Sequence, residues 1–139
     1  MDGRSPLRIA LTPAQLVTPL VDTSVLIDYL RGHRAAELLE RERAAAPLHA
    51  SESTRLEVLA GMRPAEEETR SLLLTPVWHR LDADLAEEAG ALVRQWLPVH
   101  RSIDGAAPAV AATAIRTGSH LLTRNVSHFP MFTDLHAPH

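Results

Sequence analysis

Short apolar stretches alternate with longer segments of helical period along this chain. Residues 20–23 have the pattern of a short strand, and residues 25–31 follow with the spacing of a helix that Gly32 can end in a left-handed conformation. The alternation recurs toward the C-terminus, which predicts a parallel sheet covered by helices and therefore an α/β fold. The predicted strands are 20–23, 48–50, 77–81 and 120–123, and the predicted helices are 25–31, 35–45, 53 or 54 to 60, 65–74, 83–97 and 108–117.

The extent of this pattern predicts one domain with a short extension before it. A chain of 139 residues is long enough for one well-buried core and too short for two ordinary domains. Residues 1–17 carry two prolines and no clear period, so we expect an N-terminal extension there and a single domain over residues 18–139.

Composition narrows the function by exclusion. All 14 basic residues are arginine, which excludes mechanisms that need a lysine amine, such as a Schiff base. The chain has no cysteine, which excludes disulfides and thiolate zinc sites and suits a cytoplasmic location. No apolar run approaches the roughly 18 residues of a membrane span. The net charge of -3 carries no overall footprint for nucleic acid, so binding of nucleic acid would need a local patch.

A lone carboxylate, Asp22, ends the first predicted strand where a helix begins at once. Burying an unpaired charge is costly, so Asp22 is either a helix cap or a metal ligand. The hydroxyls of Thr23 and Ser24 can already cap the helix, and we predict Ser24 at the cap position. Because open α/β sheets bind ligands beyond the carboxyl ends of their strands, a functional role for Asp22 is favoured.

Two further oxygen-bearing side chains fall at the same predicted edge. Glu57 lies in the predicted first turn of the helix after the second strand, and Asn125 follows the last strand. Such oxygen ligands suit a hard cation, Mg²⁺ or Mn²⁺, which can activate water for phosphodiester cleavage. From the residues alone a structural role for Glu57 is favoured, because Thr54 and Glu57 match a capping box. Asp28 fits a solvated or salt-bridged helix face.

The eight histidines are scattered without the spacing of metal ligands, and we expect them at the surface or in the core.

The segment 102–114 departs from the expected pattern at Ala107. Pro108 fits the first helical position, which makes Ala107 the N-cap, where Ser, Thr, Asp or Asn would be about 1 kcal/mol better. Asp104 is the nearest acid, but a cap at Asp104 would put Pro108 at the fourth helical position and cost an intrahelical bond.

Four motifs resemble PIN-domain proteins, specifically the VapC-type toxins of type II toxin-antitoxin systems. They are V-D-T-S-V-L-I-D-Y-L-R-G at 21–32, T-R-L-E-V-L-A-G-M-R at 54–63, I-D-G-A-A-P-A-V-A-A-T-A at 103–114 and L-L-T-R-N-V-S-H-F at 121–129. The resemblance implies a three-layer α/β/α sandwich with a mainly parallel sheet. It also implies a Mg²⁺- or Mn²⁺-dependent endoribonuclease that cleaves RNA, is neutralised by a cognate antitoxin and forms a homodimer.

The resemblance assigns roles to individual residues. Asp22 matches the first acidic metal ligand and Glu57 the second, which reverses the capping preference for Glu57. Thr23 or Ser24 matches the hydroxyl that supports Asp22. Asn125 matches the fourth position, which is often Asn in members with the pattern N-x-x-H-F.

The third acidic position departs from the family pattern. The pattern D-x-x-I-A-A places the missing aspartate at Ala107, the residue that the capping argument also singles out. Two origins stay open: an engineered change that lets a toxic ribonuclease be produced, and natural decay. Either way we expect severely reduced cleavage. The candidate catalytic residues are Asp22, Glu57, Asn125 and, as a partial substitute, Asp104, with Arg31 or Arg124 to hold phosphate oxygens.

Two other functions match part of the pattern. A catalytically silent PIN-fold module would bind antitoxin or RNA without cleaving it, and metal-dependent cleavage separates it from the enzyme. A phosphatase similar to the haloacid dehalogenases would use Asp22 as nucleophile. Those enzymes need D-x-D at the nucleophile and a lysine, whereas this chain has Asp22-Thr23-Ser24 at that position and no lysine.

Overall fold

Short strands alternate with helices in the order that the hydrophobic pattern predicts. The computed structural model describes residues 18–32, 35–63, 66–96, 106–133 and 135. The strands are β1 (Pro19–Val21), β2 (His49–Ser51), β3 (Val77–His79) and β4 (His120–Leu122). The helices are α1 (Thr23–Leu30), α2 (Ala35–Ala45), α3 (Glu52–Ala60), α4 (Glu67–Leu73), α5 (Ala83–Trp96) and α6 (Ala107–Thr117), with a 3-10 helix at Val126–His128.

The four strands form one parallel sheet in the order β3-β2-β1-β4. Strand β1 lies between two neighbours, with Leu20 opposite His49 on β2 and opposite Leu121 on β4. Strand β2 pairs in turn with β3. Because every pairing is parallel, the carboxyl ends of the strands share one edge, and the residues that follow β1, β2 and β4 meet there.

Alternate side chains of β1 and β4 serve opposite faces of the sheet. Val21 and Leu122 pack with α1 to α4 on one face, whereas Leu20 and Leu121 pack with α6 on the other, and α5 packs against α6. Helices therefore cover both faces, which confirms the predicted α/β/α sandwich. Leu20 and Val21 are fully buried, and each such burial stabilises the fold by roughly 1.5–3 kcal/mol. Strand β1 thus holds the residue after it, Asp22, in a firm position.

Helix α1 begins two residues earlier than predicted, and α6 begins one residue earlier. The Asp22 carbonyl accepts hydrogen bonds from the amides of Val25 and Leu26, so α1 begins at Thr23, and Asp22 rather than Ser24 occupies the N-cap position. Likewise α6 begins at Ala107, and the residue at its N-cap position is the one before it. The predicted caps at Ser24 and Ala107 are therefore wrong.

Strand β3 ends at His79 and not at 81, because its partner strand β2 ends at Ser51, opposite His79. Asp82 caps α5 by accepting a hydrogen bond from the Leu85 amide at 2.8 Å. Gly32, which was predicted to end the first helix in a left-handed conformation, has a φ of 73°, and Gly118 ends α6 in the same conformation with a φ of 65°. The predicted extension at 1–17 and Asp104 lie outside the described residues, and the domain division stays a prediction. No described helix is long and apolar enough to cross a membrane.

Candidate active site

A small depression of about 180 Å³, the carboxyl-edge depression, lies where the strands end. Asp22 follows β1, Asn125 lies in the loop after β4, and Glu57 reaches the depression from α3. Ala107, the first residue of α6, lies there too. The structure thus brings together three predicted oxygen-bearing residues and the predicted position of the missing acid. The lining residues are Asp22, Thr23, Ser24, Glu57, Ala106, Ala107, Asn125, His128 and Phe129.

Asp22 is buried and held by hydroxyl groups. It is 7% exposed, and its side chain makes no capping hydrogen bond to α1 despite its position. Instead Oδ2 accepts hydrogen bonds from Ser24 Oγ at 3.0 Å and from Thr123 Oγ1 at 2.7 Å. Among the described residues no hydrogen bond reaches Oδ1. One oxygen of a buried carboxylate therefore remains for a ligand.

Glu57 is exposed and lies in the second turn of α3. The predicted capping box with Thr54 is wrong, because α3 begins at Glu52 rather than at 53 or 54, and Ser51 caps it through Oγ. The Oε1 atom of Glu57 accepts a hydrogen bond of 2.5 Å from Thr23 Oγ1, which ties α3 to the start of α1. The side chain is thus held at the depression by one hydrogen bond and serves no helix cap.

Ala107 places a methyl group where the resemblance implies a carboxylate. It is 7% exposed and packs in an apolar cluster with Leu20, Val110 and Phe129. In the part of the chain that the structure describes, no three His, Asp or Glu side chains come together as a metal-holding group. The depression therefore offers two carboxylates, one fewer than the resemblance implies.

A family model described as PIN domain matches residues 20–129. The chain belongs to the PIN domain family. Two relatives from Mycobacterium tuberculosis are Ribonuclease VapC19, 41% identical over 123 residues, and Ribonuclease VapC10, 38% identical over 121 residues. Each match covers 86% of this chain, together with 98% of VapC19 and 91% of VapC10. These relatives confirm the VapC-type resemblance of the four motifs.

The fold of this PIN domain is also similar to that of a chain in a toxin-antitoxin complex from Klebsiella pneumoniae. The TM-score is 0.73 at 29% sequence identity, and the match covers 88% of this chain and 98% of that chain. Nearly the whole of that chain is therefore matched by this one.

Within the PIN domain, Thr123 is a site residue that sequence reasoning missed. It is fully buried, and besides donating to Asp22 it accepts a hydrogen bond from the Asn125 amide at 3.0 Å. One hydroxyl thus links the first acid to the loop that carries Asn125. The available signal was a hydroxyl residue at the end of a buried strand, two positions before the candidate Asn125.

His128 is a second residue that the sequence prediction left out. Histidines were expected at the surface or in the core, yet His128 lines the carboxyl-edge depression. Its amide donates to the Asn125 carbonyl at 2.9 Å, and Phe129 beside it is 1% exposed, so the 3-10 turn is anchored on both sides. The N-x-x-H spacing was the signal that could have placed it.

Asp28 is buried rather than solvated. It is 3% exposed, and its Oδ1 accepts a hydrogen bond from Arg124 Nη1 at 2.9 Å. The expected salt bridge is confirmed and the solvated face is wrong, because α1 packs against both α2 and α3 and little of its surface stays open.

Proposed function

We propose that this chain is a VapC-type endoribonuclease toxin that works with a divalent metal ion and is impaired by alanine at position 107. The observation that carries the proposal is the depression that Asp22, Glu57 and Ala107 share at the carboxyl edge of a PIN-domain sheet. Relatives named ribonuclease, at 41% and 38% identity, support RNA as the substrate class.

The donor set fits a hard divalent cation. Asp22 and Glu57 each keep one carboxylate oxygen that receives no hydrogen bond from the described residues, and the Asn125 amide lies at the same depression. Mg²⁺ is commonly bound through one or two carboxylates, with water and substrate phosphate oxygens at its other positions. We therefore propose Mg²⁺ or Mn²⁺ as the cofactor, with Asp22 and Glu57 as ligands.

The chain's own residues act by positioning. When bound, a divalent ion supplies water activation and neutralises charge on the phosphodiester. Thr123 and Ser24 orient the Asp22 carboxylate before RNA arrives, and Thr23 holds the more mobile Glu57 side chain at the depression through one hydrogen bond. Asn125 is positioned to contact the RNA backbone or a water molecule through its amide. Fixed geometry of this kind lowers the entropic cost of an in-line attack.

Alanine at position 107 is the reason that we propose impaired catalysis. The side chain has no oxygen, and its place in an apolar cluster offers no polar substitute. Asp104 stays a candidate substitute outside the described residues. A site that holds its ion with one carboxylate fewer should bind the ion weakly and cleave RNA slowly.

The substitution Ala107→Asp tests the proposal. We expect Mg²⁺-dependent cleavage of a mixed RNA substrate to rise by roughly 100-fold, because the added carboxylate completes the ligand set. Asp22→Asn in the same protein should abolish the gain. Ala106→Asp adds the same charge one residue away and should give no comparable gain.

A second candidate function follows from Ala107 itself. A chain that lacks one acid could be a catalytically silent module that binds antitoxin or RNA without cleaving it. If the folded Ala107→Asp protein binds Mn²⁺ no more tightly than the parent and cuts nothing, the ribonuclease proposal is wrong. RNA binding by both proteins in a gel-shift assay would then favour the silent module.

We further propose a cognate antitoxin as the protein partner, a homodimer in solution and a cytoplasmic location. The structural neighbour from Klebsiella pneumoniae, which is a toxin-antitoxin complex, supports the antitoxin. Light scattering on the purified chain tests the dimer. Co-expression with the protein encoded beside it tests the complex.

A further inference from the structure

We propose that Asp28 and Arg124 are positioning residues that hold the loop with Thr123 and Asn125 against α1. We call this pair the 28–124 clamp. The inference rests on the proposed function, because its main consequence is measured as metal affinity at the carboxyl-edge depression. Neither residue lines that depression, so both would act through their neighbours.

The clamp is built on a buried carboxylate. Asp28 is 3% exposed, and a charge in such a place is costly unless a partner of opposite charge meets it. Arg124 Nη1 meets it at 2.9 Å. Since the Arg124 side chain is 47% exposed, the guanidinium reaches inward from the surface to the carboxylate. The ion pair with Arg124 therefore offsets part of the cost of burying the Asp28 charge.

Arg124 contacts α1 at two points, one turn apart. Its backbone amide donates to Ser24 Oγ at 2.9 Å, while its side chain donates to Asp28. Ser24 and Asp28 are four residues apart and therefore share one face of the helix, about 6 Å apart along its axis. Arg124 thus fixes the loop after β4 to α1 through both its backbone and its side chain.

The residues on either side of Arg124 carry the site. Thr123 donates to Asp22, and Asn125 lies in the carboxyl-edge depression. Ser24, which accepts from the Arg124 amide, itself donates to Asp22. Displacing Arg124 would therefore loosen both hydroxyl donors of the Asp22 carboxylate.

The same geometry argues against the expected role of Arg124 as a phosphate ligand. Its guanidinium bonds Asp28, one helical turn beyond Ser24, and Ser24 is the residue of that face that contacts Asp22. The charge of Arg124 is thus used within the fold, away from the depression. The two roles make different predictions for metal binding and for RNA binding.

The test uses the Ala107→Asp protein as parent. We expect Arg124→Gln to weaken Mn²⁺ binding by roughly tenfold, measured by isothermal titration calorimetry, with a similar loss in kcat for RNA cleavage. Asp28→Asn should have an effect of the same direction. The double variant should lose no more than the worse single variant, because both changes break one interaction. Arg124→Lys, which keeps the charge without the fork, should retain part of the affinity.

Arg116→Gln is the matched control. Arg116 pairs with Glu88 at 3.2 Å and Asp82 at 3.6 Å and so joins α6 to α5 at a distance from the clamp. Removing this exposed pair should leave Mn²⁺ affinity within about twofold of the parent. If Mn²⁺ affinity falls in Arg124→Gln but not in Arg116→Gln, the loss comes from the clamp and not from the removal of an arginine in general.

Two results would overturn the clamp. One is a folded Arg124→Gln protein, as judged by circular dichroism, with unchanged Mn²⁺ affinity and unchanged kcat. The other is a raised KM for RNA at constant Mn²⁺ affinity in Arg124→Gln but not in Asp28→Asn, which would make Arg124 a phosphate ligand. If Arg124→Gln does not fold, Arg124→Lys and Asp28→Asn decide between these results.

Amide hydrogen exchange separates the clamp from the proposed function. If the Ala107→Asp parent neither binds Mn²⁺ nor cleaves RNA, the ribonuclease proposal fails by itself. The clamp still predicts at least about tenfold faster exchange at the amides of Arg124 and Asn125 in Arg124→Gln, because their acceptor hydroxyls are no longer held. Unchanged exchange at both amides would reject the clamp independently.

Discussion

The two sides of the carboxyl-edge depression hold their side chains with different firmness. On the side of β1 and β4, Asp22 is 7% exposed and receives hydrogen bonds from two hydroxyl groups. On the side of α3 and α6, Glu57 is exposed and receives one hydrogen bond, and Ala107 has no polar side-chain atom. The first side is a connected network, and the second is an exposed acid beside a methyl group.

The difference follows from where each side chain starts. Asp22 directly follows β1, whose backbone pairs with a strand on both sides. Glu57 extends from the surface of a helix, where a long side chain keeps more rotamers open. A ligand at the end of a central strand is therefore oriented before metal arrives, whereas a ligand on a helix surface must be ordered on binding. Alanine at 107 affects the second side and leaves the network around Asp22 intact.

Among the changes that test this difference, Thr123→Val should have the largest effect on Mn²⁺ affinity and stability. The change removes the buried hydroxyl that donates to Asp22, so in the Ala107→Asp protein we expect Mn²⁺ affinity to fall by about 10–100-fold. Stability should fall by about 1–3 kcal/mol, because the buried carboxylate loses a donor. Calorimetric titration and urea unfolding measure the two quantities. Thr123→Ser keeps the hydroxyl and should keep most of the affinity, and equal losses in Ser and Val would contradict the role of the hydroxyl.

Thr23→Val should have a smaller effect on the other side. It removes the hydrogen bond from Thr23 to Glu57, which lies at the surface, so we expect a loss of stability under about 1 kcal/mol. Mn²⁺ affinity should fall by roughly two- to fivefold, which is less than the ~10–100-fold loss typical of outer-shell partners. If Thr23→Val lowers Mn²⁺ affinity as much as Thr123→Val does in the same titration, the two sides of the depression do not differ in firmness.

The smallest expected effect is a pH response away from the depression. The His49 Nδ1 atom lies 2.7 Å from His79 Nε2, and burial, with the charge of His79 as a second cause, lowers the pKa of His49 below its ordinary value of 6.5. The unfolded chain therefore binds more protons than the native state, and stability falls as the pH drops below 6.5.

Urea unfolding between pH 7.5 and 5.5 measures this response. His49→Gln should reduce the slope, which would assign that part of the acid sensitivity to the strands β2 and β3 rather than to the carboxyl-edge depression. An unchanged slope would assign it elsewhere. Once the pH dependence of stability is known, it can be subtracted from the pH dependence of cleavage. The remainder then reports on the two sides of the carboxyl-edge depression.

The candidate site shows how far local patterns reach. Asp22 and Asn125 follow apolar strands of a parallel sheet, and such residues share one edge whatever the details of packing. Ala107 stood out because alanine is a poor residue before a helix that contains Pro108, although the helix in fact begins at Ala107. The prediction that Glu57 lies in the first turn of its helix was wrong. Ser51 and Thr54 both offer a capping hydroxyl, and sequence alone does not choose between them.

Apolar period, proline, glycine and capping residues were enough to order the strands and helices, to predict a parallel sheet and to place the candidate acids at one edge, because each of these signals is local. Folding in three dimensions was needed to bury Asp28 against Arg124, 96 positions away, and to bring Thr123 to Asp22, 101 positions away. Both pairs depend on β4 lying beside β1. A local pattern shows which face of an element is apolar, but a polar residue on that face finds its partner only when distant strands pair.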